Sequence, residues 1–205
     1  MSPTPRQGRR MAAIALFHSV LGVRQGVTDA AGRFRAAGHD VLVVDQYDGR
    51  AFGDDYAEAG AFVEEVGFPA LMARAEDAVR HLPDGFVAAG FSNGAGMAEH
   101  VATRRRCGGV LLFSGALPMA VLGAAGWPAG LPAQLHRATG DPLASPEWDA
   151  AFAADVEAAG AELEVFTYDT AGHLFTDAGL PAEYDPAATE LLFGRALDFV
   201  ARVTA

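Results

Sequence analysis

The sequence is short of cysteine, of basic residues and of long apolar runs, and each shortage narrows what the protein can be. Cys107 is the single cysteine in 205 residues. That excludes an intramolecular disulfide framework and any zinc site built on several thiolates, and it suits a reducing cytoplasm. Lys and Arg number 15 against 26 Asp and Glu, a formal charge of −11. Nucleic acid is therefore not expected as a partner, because neutralising phosphates requires clustered cations. Arg9 and Arg10 precede an apolar run at 11–17, but that run is seven residues long and stops at His18 without a cleavage-type site. Signal h-regions and membrane spans are longer, so no membrane association is expected and the location reads as cytoplasmic. The sequence carries no phosphate-binding glycine motif, cofactor fingerprint or metal-ligand spacing, so no cofactor and no metal are expected. It also has no composition break, linker or internal repeat.

What is present is an apolar chain with strong alternation. Hydrophobic residues make up 51% and charged residues 20%, a balance typical of a folded domain. A chain of this length buries about 70% of its unfolded surface. Residues 1–10 read as a flexible tail and 11–205 as one domain. Strands are expected at 12–17, 41–45, 86–91, 109–114, 133–138 and 162–168, and helices at 26–37, 68–82, 93–105, 147–159 and 187–203. Several strand runs are almost continuously apolar, as in strands covered by helices on both faces. The alternation predicts a single α/β domain with a mostly parallel, doubly wound sheet. Residues 46–67 are acidic, rich in glycine and dotted with aromatics. They read equally as a mobile flap or as a long solvated connection.

Ligands of such sheets bind beyond the carboxyl ends of the strands, which directs attention to the residues following each strand. After 86–91 comes Ser92, inside Gly90-Phe91-Ser92-Asn93-Gly94. This is the G-x-S-x-G pattern of a nucleophile elbow, in which a tight strand-to-helix turn lifts the serine clear of the sheet. Composition alone yields roughly 0.07 accidental matches. The position between an apolar strand and a small-residue helix strengthens the reading, against that of a glycine turn that merely packs a helix on the sheet.

A serine hydroxyl needs an adjacent base. Six histidines compete. His39 precedes a strand, His81 closes a helix, His100 lies two turns beyond Ser92, His136 lies within a strand, and His18 follows the first strand. His173, in Thr170-Ala171-Gly172-His173-Leu174-Phe175 after the last strand, is the expected base. The orienting acid should follow a strand between serine and histidine. Asp141 meets that demand and is preferred to Asp169, which stands only four residues before His173.

Backbone amides complete the expected site: that of Asn93 at the start of the helix and that of Val20, with Leu21 next, in the loop after the first strand. Candidate pocket residues at the strand ends are His18, Ser19, Leu21, Tyr47 and Leu117. Phe52, Phe62, Met119 and Trp127 are further apolar candidates, and core packing competes for each. Cys107 reads as a structural thiol, and Arg104, Arg105 and Arg106 as the end of a helix.

With these residues in place the chain resembles the dienelactone hydrolase family of α/β hydrolases over about 12–203. The resemblance rests on FHSVLGV, VVDQYDG, GFSNGAG, TGDP and AGHLF. It implies the α/β-hydrolase fold, with Ser92, Asp141 and His173 as nucleophile, acid and base and the amides of Val20 and Asn93 as oxyanion donors. Two departures accompany it. The best-known members carry cysteine as nucleophile and a glutamate in the first loop, where this chain has Ser92 and Ser19. Dienelactone-cleaving members place a carboxylate-binding arginine four residues beyond the histidine, where this chain has Asp177. An acid there is expected to repel such a substrate, so ester-type hydrolysis carries over better than that substrate. The expected activity is hydrolysis of a small ester, lactone or thioester through an acyl-enzyme. The alternatives are a non-catalytic ligand-binding module on the same fold, and acyl transfer or perhydrolysis from the same intermediate.

Overall fold

Among the described residues the apolar runs fold as six strands: β1 (Ala13–Phe17), β2 (Asp40–Val44), β3 (Phe86–Phe91), β4 (Cys107–Phe113), β5 (Ala133–Ala138) and β6 (Leu163–Tyr168). They form one sheet in the order β2-β1-β3-β4-β5-β6, with every neighbouring pair parallel. The computed structural model describes residues 11–205, and the tail expected at 1–10 lies outside the described residues. Every residue of β3 is buried, whereas edge strand β6 exposes Val165 and Thr167. Continuous hydrophobicity thus tracks coverage on both faces.

Parallel neighbours require crossovers. Here α1 (Gln25–Ala36) joins β1 to β2, α2 (Tyr56–Val66) and α3 (Phe68–Val79) join β2 to β3, α4 (Asn93–Arg104) joins β3 to β4 and α5 (Pro146–Ala158) joins β5 to β6; β4 and β5 are joined by a loop, and α6 (Pro186–Val203) follows β6. α1 packs beside α6, and α3 beside α4. Side-chain caps start three of the helices. Asp55 accepts from the Glu58 N–H, Ser145 from that of Trp148 and Asp185 from that of Ala188. Such caps satisfy amides that have no intrahelical partner. Phe17, Phe34, Phe86, Phe113, Phe152, Phe175 and Phe199 are fully buried between the layers.

Residues 46–67 are not an irregular solvated connection. They carry α2, whose Ala59 and Val63 are buried. Tyr47, Phe52 and Phe62 pack against one another, and the Arg50 guanidinium lies over the Phe52 and Phe62 rings. Glycines and an outward acidic face masked the helical period. Cys107 opens β4 instead of preceding it.

The chain runs from β1 outward to β2 and then crosses to β3 on the other side of β1. The connections that leave the paired carboxyl ends of β1 and β3 therefore run in opposite directions, which makes this the usual ligand position of an open α/β sheet.

Candidate active site

Ser92 alone separates β3 from α4, with φ 52° and ψ −114°. A non-glycine residue there stores about 1–3 kcal/mol of strain. The flanks hold it in place: its N–H donates to Phe113 O at 2.7 Å, and its carbonyl accepts from Ala95 N at 2.8 Å. The turn closes only because two neighbours lack side chains. A Cβ on Gly90 would lie 1.9 Å from Gly94 O, and one on Gly94 would lie 2.4 Å from His18 O and 2.5 Å from Phe17 O. Ser92 is left half-buried, with its hydroxyl facing a cavity.

His173 follows β6 on a loop that is held at several points. Ser114 Oγ donates to the His173 carbonyl at 2.5 Å, and the Leu174 N–H donates to Glu183 Oε2 at 2.6 Å. Tyr56, on α2, donates to Glu183 Oε1 at 2.8 Å and sets its ring edge-on to the imidazole, 6.2 Å between centroids. Gly172 passes so close that a Cβ would stand 2.1 Å from Glu183 O.

The fold brings Ser92, His173 and Asp141 into line. His173 Nε2 lies 2.7 Å from Ser92 Oγ, and Nδ1 lies 2.7 Å from Asp141 Oδ2. A carboxylate only accepts, so Nδ1 carries the imidazole proton and Nε2 accepts from the serine hydroxyl. The Asp141 carboxylate is 1% exposed, and its other oxygen accepts from Leu143 N at 2.8 Å. Asp169 is exposed and reaches Thr139 Oγ1 at 3.5 Å. It makes no bond to His173.

Ser92 and His173 border a cavity of about 400 Å³. Val20 and Asn93, whose amides are the oxyanion-donor candidates, line it, as does the pocket candidate Leu117. His18, Ser19, Leu21 and Tyr47 do not, and all four are buried. The His18 imidazole donates from Nδ1 to Ser19 O and accepts from Gln46 N at Nε2, which ties the loop after β1 to the loop after β2. Burial lowers its pKa from 6.5, so it stays neutral. Ser19 Oγ accepts from Leu21 N, shaping the turn that presents Val20. Burial pushes the Tyr47 phenol up to about 12, with the Asn93 side chain offsetting part of that. Phe52, Phe62, Met119 and Trp127 also pack away from the cavity.

The walls that sequence reasoning missed come from other elements: Val63 and Phe68 near α2 and α3, Leu143 and Trp148 near α5, and Arg137 on β5. No motif marks them. Half-exposed aromatics at helix starts were the available hint.

Asp177 does not line the cavity beside Ser92. It is 4% exposed and accepts from Arg24 Nε at 2.9 Å, from the Gly26 N–H at 3.0 Å and from the Gly179 N–H at 2.8 Å. Its charge is spent on the start of α1, so the expected repulsion from that position is corrected.

The remaining titratable groups sit elsewhere. Burial holds His136 down at about 3, between Tyr168 and Gln134 in the core. Burial also lifts the Cys107 thiol to about 12, a poor nucleophile. Glu99 is fully buried behind Leu117, whose N–H lies 3.0 and 3.1 Å from its two oxygens. Desolvation raises its pKa well above the ordinary glutamate value. Among the described residues no three His, Cys, Asp or Glu side chains gather as a metal site, and no helix is long and apolar enough to cross a membrane.

Comparison with known proteins follows from this geometry. The model of the dienelactone hydrolase family matches residues 2–204. Among solved structures, a dienelactone hydrolase-like promiscuous phosphotriesterase from metagenomic libraries superposes with a TM-score of 0.77. It is 22% identical, with 98% of this chain and 89% of that one covered. A hormone-sensitive lipase from a metagenome library gives 0.67 at 15% identity, with 97% and 79% covered. An α/β hydrolase from a Medee basin deep-sea metagenome library gives 0.63 at 19% identity, with 95% and 86% covered. At these identities the likeness is one of fold. A search of curated proteins gives no match.

Proposed function

The chain belongs to the dienelactone hydrolase family, and on that premise we propose that it is a serine hydrolase cleaving a small ester, lactone or thioester through an acyl-enzyme. The observation that carries this reading is the unbroken relay from Ser92 Oγ through His173 to Asp141, with 2.7 Å at each contact, opening on a cavity.

The chemistry follows from the groups in order. Ser92 Oγ attacks the substrate carbonyl while its proton passes to His173 Nε2. Asp141 accepts the Nδ1–H, fixes the tautomer and stabilises the imidazolium. The carbonyl oxygen becomes an oxyanion held by the amides of Val20 and Asn93. The second of these begins α4, where helix amides favour negative charge. The imidazolium returns its proton to the leaving oxygen or sulfur, and the acyl group stays on Ser92. Water then enters, His173 takes its proton, and the acid departs with Ser92 regenerated.

An oriented relay has no evident use in a passive ligand-binding module, which argues against that alternative. The test is release of 4-nitrophenol from short 4-nitrophenyl esters by wild type and Ser92→Ala. Loss of about 10³-fold or more in kcat is expected. Equal rates would remove Ser92 from the mechanism.

A further inference from the structure

The charged groups around the cavity restrict which ester it accepts. Among the described residues that line the cavity, Arg137 is the one Lys or Arg, and its acidic companions are Glu64, Asp141 and Asp149. Asp149 offsets the Arg137 charge: the Arg137 Nη1 donates to Asp149 Oδ2 at 2.6 Å, with the Arg137 side chain 34% and the Asp149 side chain 8% exposed. A pair with one partner sunk in the protein holds its geometry better than a surface pair. Subtracting that pair leaves Asp141, already engaged by His173, and the exposed Glu64 at the opening. The remaining field is negative. Three large apolar side chains also project into solvent at the same cavity, with Phe68 44%, Leu143 56% and Trp148 45% exposed. Large apolar groups gathered at one opening mark a ligand-contacting surface.

We propose that the site takes uncharged esters with an apolar acyl chain and rejects those bearing a carboxylate, and that Asp149 sets this preference by masking Arg137. The inference rests on the esterase reading above and deepens it by naming a substrate class and the residue pair that selects it. With the mask removed, Arg137 presents a guanidinium to the cavity, a group whose fork of N–H donors suits a carboxylate. The closest variant is Asp149→Asn, which retains shape and one acceptor oxygen while losing the charge.

The experiment compares kcat/KM for 4-nitrophenyl hexanoate with that for mono-4-nitrophenyl adipate, its chain-matched anion, in wild type, Asp149→Asn and Asp149→Asn/Arg137→Gln. For wild type the hexanoate is favoured by roughly 30-fold, a scale set by one unscreened charge in a partly dry site. Asp149→Asn narrows the ratio about tenfold by accelerating the adipate, and the double variant loses that gain. A wild-type ratio near one, or a ratio unmoved by Asp149→Asn while circular dichroism shows an intact fold, overturns the proposal and leaves the hydrolase reading standing. Turnover of neither ester overturns both.

Discussion

Tyr56 donates a 2.8 Å hydrogen bond to Glu183, and the second oxygen of that carboxylate receives the N–H of Leu174, the residue after His173. α2 is thereby linked to the loop that carries the imidazole. Tyr56 also faces the imidazole edge-on. Glu183→Gln keeps the shape but turns one acceptor oxygen into an NH2 donor, so one of the two bonds is lost or reversed and the other loses its charge assistance. Because small misplacements of a reacting group are costly, kcat is expected to fall about tenfold with KM little changed. A variant that loses melting temperature but keeps its kcat would assign Glu183 a purely structural role.

The elbow makes a stability prediction. Gly94→Ala sets a methyl against the carbonyl oxygens of Phe17 and His18, within 2.5 Å of each. Backbone cannot yield there without moving β1 against α4. The expected cost is about 3 kcal/mol, at the upper end for overpacking. Gly32→Ala, at a helical glycine with nothing within 4 Å, is the control and is expected to be neutral or slightly stabilising. Denaturant midpoints measure both, and equal midpoints would contradict the close approach.

Glu99 predicts a pH dependence of opposite sign to that of an ordinary surface carboxylate. Burial raises its pKa well above 4.5 in the folded protein. Below about pH 4.5 folded and unfolded chains both hold the proton, so the group is neutral to stability. As pH rises further, the unfolded chain releases its proton first, and stability falls until the folded pKa is reached. Glu99→Gln mimics the protonated form. Its advantage over wild type is expected to be near zero at pH 4 and to widen as the pH rises above 4.5, levelling off once the folded protein also releases the proton. Chemical denaturation across that range gives the slope, and parallel pH curves would show Glu99 ionised in the fold.

These features differ in how far they could be read ahead of the structure. The six strands and the serine turn are local. Continuous apolar runs and glycines two residues either side of Ser92 announce them, and their chain order pointed to the side chains that the fold sets 2.7 Å apart. The walls of the cavity are not local. Phe68, Arg137, Leu143 and Trp148 converge from three elements through tertiary packing, and no spacing encodes that. α2 was hidden because its glycines and outward glutamates dilute a helical period that Asp55 and the buried Ala59 and Val63 establish. Asp177 shows the opposite failure. Its offset from His173 suggested a pocket position, yet Arg24 and the amide of Gly26 draw it to the start of α1.

The central claim is that the hydroxyl at 92 is a nucleophile made so by His173. Incubation with a fluorophosphonate followed by intact-mass and peptide mapping tests it most directly. One equivalent of phosphonyl group on the peptide containing Ser92 is expected, absent in Ser92→Ala and slowed by about 10³-fold or more in His173→Ala. Folded wild-type protein that stays unlabelled, or that carries the label on another residue, would contradict the account.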